Sequence, residues 1–334
     1  MSDKKADIIA VARAAKVSPS TVSRSFNHPD LVKPATRKKI DMAVKRLGYI
    51  RNRAAQTIHG IRSGTIGLIV PTIDHAIFAE LIQSFSDAVD AHGFTILLAS
   101  HGYDLDREYA LARKMLEHRV DGLALVGLEH ASETFRLVEQ QNVASILLWN
   151  HAQAAALPCV GADNHEAGRL IAGHIATLGH TEVACMFPPL TGNDRAAHRF
   201  EGAVQELSRH GILIPPHWNL ETPYSIAAAK AAALQMLDQM PRPDVVLCGN
   251  DVLAWGVLQA AARLGLKVPS QLAVTGIGDF KGSKEFEPPL TTVKIPAHQI
   301  GSTAGDAIAA AIVQGNGLAG AHHIPLKLMA RATT

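Results

Sequence analysis

A chain of 334 residues has room for two or three domains, and its formal charge of +2 conceals a split: residues 1–62 hold 14 Lys/Arg against 4 Asp/Glu, while the rest carry 18 against 26. A basic head on an acidic body points to a polyanion bound at one end only, and the opening Met1-Ser2-Asp3-Lys4-Lys5 has no apolar signal core, so a cytoplasmic protein without a membrane partner is expected. Cys159, Cys185 and Cys248 lack C-x-x-C spacing and the 17 histidines offer no H-x-x-x-H pair, so buried thiols, no metal and no cofactor are expected.

The head reads as three helices. Ile8, Val11, Ala12 and Ala15 recur at helical spacing and predict a helix over 8–15. Ser18 is a good N-cap and Pro19 falls at the first helical position, where a missing N–H costs nothing. The helix that starts there carries Ser20, Thr21 and Arg24 on its exposed face and turns Val17 and Val22 back toward the first. Two short helices on a tight turn make a helix-turn-helix, a shape whose second helix fits a DNA major groove; a helical hairpin without a DNA role is the alternative, and the basic charge opposes it. A third helix opens at Pro34, runs through Ile40, Val44 and Leu47, and stops at Gly48. The basic segment 53–58 has helical propensity but is too short to hold alone, so it should fold only against a partner. Gly60 and Gly64 bracket a flexible connection to the body.

From Thr65 short apolar runs alternate with helical patterns. Strands are predicted over 65–71, 94–100, 122–127 and 144–149, with helices near 77–92, 106–118 and 132–141. A second series places strands over 182–187, 244–248 and 272–276, with helices near 165–178, 195–210, 225–237 and 251–264. Strands this apolar are covered on both faces, which implies an α/β body of two doubly wound parallel sheets with a ligand cleft between them. The strand at 291–296 and helix at 297–313 are expected to return to the first lobe, and a last strand over 323–330 to the second. Gly276-Ile277-Gly278 lacks the context of a dinucleotide fingerprint, and no Ser/His/Asp order, phosphate loop or carboxylate pair suggests catalysis, so no catalytic residue is expected. Arg195 and Arg199 lie four apart and share one helix face, either as a solvated face or as an anion clamp. Asn250 and Asp251 stand at a helix start, where Asp251 could be only a cap, while the cleft-facing position of Asn250 favours ligand binding.

Several motifs extend this reading across the chain: Val17-Ser18 with Thr21-Val22-Ser23-Arg24, Leu47-Gly48-Tyr49, Asn52 with Ala55 and Ile58, Val120-Asp121-Gly122, Leu178-Gly179-His180, Arg199-Phe200-Glu201-Gly202, Asn250-Asp251, and Pro288-Pro289-Leu290-Thr291-Thr292-Val293. In this order they resemble the lactose repressor/galactose repressor family of bacterial transcription regulators, with a bias to its gluconate-repressor type. The resemblance implies a DNA-binding head over 1–50, a hinge helix and linker over 51–64, and an effector-binding and dimerisation body over 65–334 with a periplasmic-binding-protein-like fold. Within that body it implies an N-lobe of about 65–161 and 291–321 and a C-lobe of about 162–290 and 322–334.

By the same likeness Pro19, Ser20 and Arg24 occupy base-reading positions, and Ser18, Thr21, Ser23, Asn52 and Ala55 complete the surface on double-stranded operator DNA. Ile58 stands where a hinge side chain wedges into the minor groove of a dimer's operator. Lys16 where the turn usually has Gly, Lys33 in place of the usual cap, and the weak base readers Pro19 and Ser20 depart from the pattern. The effector site implied in the body comprises Trp149, Arg195, Arg199, Tyr224, Asn250 and Gly278. Sugar-sensing members present Asp at the positions of Trp149 and Gly278, so loss of both carboxylates beside retained arginines favours an anionic effector, a sugar acid such as gluconate or ketogluconate. The alternatives are a neutral sugar, with Asp74, Asp163 or Asp279 supplying the acceptors, and a cytosolic sugar-binding protein without a regulatory role. A homodimer is expected, not a tetramer, since no leucine heptad follows the last strand. The apolar stripe Ile77, Leu81, Ile82, Phe85 and Val89 is the candidate for part of its interface.

Overall fold

The computed structural model describes residues 6–51, 62–318 and 320–334, and the chain divides into two compact units, Met1–Ser63 and Gly64–Thr334. The first holds helices α1 (Ile8–Ala15), α2 (Pro19–Asn27) and α3 (Pro34–Leu47). Asp7 caps α1 by accepting the Ala10 N–H at 2.8 Å, and Ser18 caps α2 by accepting that of Thr21 at 3.2 Å. Lys16 closes α1 with φ 55°, a left-handed turn position at which glycine would carry no Cβ strain. Val11, Ala12, Ala15, Val22, Ile40 and Ala43 form the small core, with Val17, Phe26, Leu47 and Tyr49 packed around it. Asn52, Ala55 and Ile58 lie outside the described residues.

The second unit is bilobed. Its first sheet contains β1 (Thr65–Val70), β2 (Thr95–Ser100), β3 (Gly122–Val126), β4 (Ala144–Asn150), β5 (Cys159–Ala162) and β11 (Ala321–His323), in the order β11-β5-β4-β3-β1-β2 with every pair parallel. Helices α4 (Ala76–Ala91), α5 (Leu105–Glu117) and α6 (Ser132–Gln141) connect its strands. The second sheet contains β6 (Val183–Phe187), β7 (Asn219–Glu221), β8 (Val245–Cys248), β9 (Ala273–Gly278), β10 (Thr291–Lys294) and β12 (Lys327–Met329), in the order β12-β10-β9-β8-β6-β7. Helices α7 (Asn164–Thr177), α8 (Asp194–Arg209), α9 (Ile226–Leu237) and α10 (Asp251–Arg263) belong with it, and α11 (Ala297–Gln314) crosses back to pack along α4. β3, β6 and β8 are buried from end to end, as strands covered by helices on both sheet faces must be.

Three expectations change. The strand at 291–294 pairs with β9 and stays in the second lobe, because the chain crosses to the first only after it, at α11. The last predicted strand is two short ones: 321–323 adds to the first sheet beside β5, and 327–329 runs antiparallel to β10 in the second. Four residues of the apolar stripe of α4 are core, since Ile77, Leu81, Phe85 and Val89 are each at most 6% exposed within this one chain, while Ile82 is half-buried. α11, docked against α4, covers the stripe. β5, β7 and β11, three or four residues each, are too short for a hydrophobic pattern to announce them.

One close crossing sets up the site. A Cβ on Gly168 of α7 would lie 1.9 Å from the Arg199 carbonyl of α8, and one on Gly202 would lie 2.0 Å from the His165 carbonyl. Only glycine lets these two backbones meet, and their meeting brings Asn164 to Arg199.

Candidate functional site

On the head, Ser18, Pro19, Ser20 and Arg24 are exposed, while Thr21 and Ser23 are half-buried. Ser18 Oγ lies 2.8 Å from both Ser20 Oγ and Thr21 Oγ1, so the hydroxyls at the start of α2 form one cluster around the cap. Arg24 is left as the long cation projecting from the exposed face. At the end of the head, Arg51 bonds Asn27 and lies over the Phe26 ring at 5.5 Å, tying the chain that leaves α3 to the end of α2.

In the body, a cavity of about 20 Å³ lies between the lobes, bounded by His75, Ile77, Phe78, Tyr103, Trp149, Arg195, Arg199, Tyr224, Asn250 and Phe280. A cavity of this size has room for about one water molecule, so the cleft is nearly closed. The parallel strands explain its place, because loops at their carboxyl ends converge there from both sheets.

The two arginines sit on the buried face of α8, which removes the solvated-face alternative. Asn193 caps this helix, its side chain accepting the Ala196 N–H at 3.4 Å while its amide donates to Tyr224 Oη at 3.1 Å. Arg199 Nε donates to Asn164 Oδ1 at 2.7 Å and Nη1 to the Gly249 carbonyl at 3.3 Å, so neither bond is to a carboxylate. Burial holds its pKa below the usual arginine value, although Tyr224, Tyr103 and Asp251 oppose that shift. Arg195 instead pairs with Asp194 at 2.9 Å and reaches the Val126 carbonyl of the other lobe at 3.4 Å. Asp194 Oδ2 accepts the Leu128 N–H at 2.7 Å and the Asn150 amide at 2.9 Å, both from the first lobe. Asn150 Oδ1 in turn accepts from Asn164 at 3.2 Å, so a polar chain links Arg199 to the interlobe contact.

The rings come mostly from the first lobe. Trp149 is 2% exposed, sits at φ 84° and packs on Phe78 with centroids 5.1 Å apart, and its buried indole Nε1 has no partner among the described residues. Tyr103 stacks with Tyr224 at 6.1 Å, and His75 meets Tyr224 edge-on at 4.8 Å. Burial, reinforced by Tyr224, raises the Tyr103 phenol above its usual pKa, and burial holds His75 below its own.

Five of the six effector residues expected from sequence line this cavity: Trp149, Arg195, Arg199, Tyr224 and Asn250. Gly278 does not. It sits at φ 144°, and a Cβ there would come within 2.1 Å of the Phe280 ring, which occupies the wall instead. Asn250 is the cap of α10, its side-chain Oδ1 accepting the Leu253 N–H at 3.0 Å. Asp251 is structural: fully buried, it accepts from Phe280 N, Ser283 Oγ and Thr292 Oγ1 at 2.8, 2.6 and 2.6 Å. Burial pushes its carboxyl pKa up against these three bonds. The alternative acceptors are also placed elsewhere. Asp163 caps α7 and Asp279 pairs with Arg331 at 2.6 Å, and neither they nor Asp74 borders the cavity. Sequence reasoning missed His75, Phe78, Tyr103 and Phe280. Gly102-Tyr103-Asp104 was the one available signal, a turn directly after a buried-sheet strand.

Among the described residues no helix is long and apolar enough to cross a membrane. Residues 7–52 match the family described as bacterial regulatory proteins, lacI family, and residues 172–334 match the periplasmic binding protein-like domain. The HTH-type transcriptional repressor CytR of Escherichia coli strain K12 is 31% identical over 295 residues, covering 88% of this chain and 86% of that one. The HTH-type transcriptional regulator GntR of the same strain is 31% identical over 312 residues, 93% of each. A crystal structure of the lac repressor dimer bound to operator and the anti-inducer ONPF superposes with a TM-score of 0.86 at 26% identity, covering 99% of both chains. These likenesses span head and body together, and the protein is a member of the lacI family of bacterial regulatory proteins, a DNA-binding transcriptional repressor governed by a small effector and not an enzyme.

Proposed function

We propose that this repressor controls a carbohydrate-utilisation operon and that its effector is a sugar acid, gluconate or a ketogluconate, held by its carboxylate at Arg199. The observation that carries the reading is the charge of the cleft: two buried arginines on one helix face border a cavity that, among the described residues, no carboxylate side chain lines. A buried carboxylate ligand would meet the Arg199 guanidinium there, whose two hydrogen bonds among the described residues go to an amide oxygen and a backbone carbonyl and not to a carboxylate. Trp149 and Asn250 then meet the carbon face and hydroxyls, with Arg195 and Tyr224 closing the site. A six-carbon acid does not fit the nearly closed cleft, so the lobes part to admit it.

The remaining assignments follow the same reading. In this proposal residues 1–50 read DNA, 51–64, of which 52–61 lie outside the described residues, serve as the hinge between head and body, and 65–334 bind effector and dimerise, in the cytoplasm. The lac repressor neighbour, a dimer on operator, supports one head per half-site of a near-palindrome. Ser18, Pro19, Ser20, Thr21, Ser23, Arg24, Asn52 and Ala55 make up the DNA surface, and Ile58 is the minor-groove wedge. Arg24→Ala is expected to cost about 1–3 kcal/mol and to relax preference at one base pair per half-site, measured by binding to a panel of operator variants.

A thermal-shift screen with a gel-shift on the gene's own upstream DNA tests the effector. Gluconate at about a hundred times its dissociation constant should add roughly 2.7 kcal/mol to the folded body and change operator occupancy. Stabilisation by neutral hexoses alone would defeat the sugar-acid reading and leave the repressor intact.

A further inference from the structure

Three ionisable side chains that the cavity does not use cluster at the carboxyl edge of the first sheet. His101 follows β2, Glu108 lies on the first turn of α5, His130 lies in the loop after β3, and each side chain is at most 4% exposed. His130 Nδ1 is 2.8 Å from Glu108 Oε1, and its Nε2 is 3.1 Å from the Gly127 carbonyl. Both neighbours accept, so both are satisfied when this ring carries two protons and faces Glu108 as a carboxylate. His101 is different. Its Nδ1 donates to the Asp104 carbonyl at 3.3 Å, which leaves Nε2 as a lone pair 3.8 Å from Glu108 Oε2, and both of these buried atoms lack a hydrogen-bond partner among the described residues. Two acceptors face each other, and one added proton would turn that repulsion into a hydrogen bond.

On its other side His101 faces cations. The Tyr103 ring packs on the His101 ring at 6.4 Å and also lies under the Arg195 guanidinium at 5.9 Å, so the arginine that the second lobe extends toward the first confronts the imidazole across one tyrosine. The other charged groups around His101 are His130 beyond Glu108, Arg199 beyond Tyr103, and Arg107 beside Gly102. Burial, Arg195 and His130 hold the His101 pKa below 6.5, against the pull of Glu108 and the Asp104 carbonyl.

The loop that His130 anchors also latches the lobes together. Leu128 N–H donates to Asp194 and Arg195 reaches the Val126 carbonyl, at 2.7 and 3.4 Å. At the turn between them Gly127 has φ 110°, and a Cβ there would lie 2.6 Å from Arg195 Nη1. We propose that His101, Glu108 and His130 form a proton sensor for this latch: a proton taken up between His101 and Glu108 repels Arg195, loosens the hold of Asp194 and Arg195 on residues 126–128, and opens the cleft as pH falls. The sign follows from linkage. Closed lobes set Arg195 beside His101 and parted lobes remove it, so the open form binds the proton more tightly and acid favours opening. Nothing in this depends on which effector occupies the cleft.

Hydrogen exchange of the full-length, ligand-free protein, resolved to single amides, tests it. The Leu128 amide reports the latch, and the Gly127 amide, which donates to the Leu148 carbonyl at 3.0 Å within the first lobe, is the reference. Corrected for intrinsic exchange, the protection of Leu128 relative to Gly127 should fall by up to about tenfold between about pH 7.5 and about pH 5.5, and His101→Gln should abolish the change. A ratio that stays constant, or an equal pH response in His101→Gln, overturns the proposal. Ring-nitrogen NMR of the unsubstituted protein gives a second reading that needs no variant to fold: His101 neutral at about pH 7.5 and gaining a proton by about pH 5.5. A His101 already charged at the upper pH, or still neutral at the lower, overturns it as well.

Discussion

The first lobe meets the interlobe cavity with rings and the second with charge. His75, Phe78, Tyr103 and Trp149 come from one side, while Arg195, Arg199 and Asn250 come from the other, joined by Tyr224 and Phe280. Rings need only neighbouring rings and apolar walls to hold them, and Phe78 on Trp149 or Tyr103 on Tyr224 supplies that. Buried cations need a polar scaffold with a partner for each donor. Hence the second lobe spends Asn164, Asp194 and the Gly249 carbonyl on two arginines, and a further buried carboxylate, Asp251, on the Phe280 loop beside them. Substitutions in the second lobe should therefore disturb fold and ligand separately, whereas those in the first should trade small amounts of each.

The largest effect expected is that of Asp251→Ala. The backbone N–H of Phe280 and the hydroxyls of Ser283 and Thr292 would lose a shared buried acceptor, a loss of about 3–5 kcal/mol of stability measured by denaturant unfolding. The Phe280 wall should move with it. A loss under about 1 kcal/mol would mean that the loop is held by its apolar contacts, and the contrast between the lobes would fail.

Arg199→Met comes next and should separate the two quantities. Among the described residues the buried guanidinium bonds only to an amide and a backbone carbonyl, so its removal should leave stability within about 1 kcal/mol while sugar-acid affinity falls by about 1.5–3 kcal/mol, roughly 10- to 150-fold by calorimetry. Gluconate that binds equally well to the variant would move the carboxylate away from this residue.

The same asymmetry governs what could be read without coordinates. Arg195 and Arg199 are visible as a pair because helix spacing alone puts positions four apart on one face, and Asn250 because a polar residue after a buried strand stands at a carboxyl end. The β-α-β alternation gives both sheets for the same reason: long apolar strands announce themselves. What fails is whatever depends on a partner far along the chain. The strand at 291–294 looks like any strand, and only its pairing with β9 keeps it in the second lobe. The stripe on α4 has an interface's pattern, and only the return of α11, some two hundred residues later, fills it. Gly278 holds a position matched by sequence order, while the space a side chain would take there belongs to Phe280, two residues on. Tyr103 and Phe78 are missed because a lone aromatic in a loop or helix carries no period.

The smallest effect is the most discriminating between ring and charge. Trp149 supplies a ring packed on Phe78 and also a buried indole N–H with no partner among the described residues. Trp149→Phe keeps an aromatic and removes the donor. In the free protein two changes oppose each other: loss of an unsatisfied buried donor stabilises by about 1–3 kcal/mol, and the smaller ring leaves a gap that costs a similar amount, so the net change should be near zero. In the complex only one survives. If the indole N–H meets a ligand oxygen, affinity falls by about 0.5–1.5 kcal/mol, while a purely apolar role leaves it unchanged. Paired unfolding and binding measurements on the one variant thus decide whether the first lobe brings surface alone or one hydrogen bond as well. A loss of affinity with unchanged stability makes Trp149 the first lobe's polar contribution to a site whose charge comes from the second.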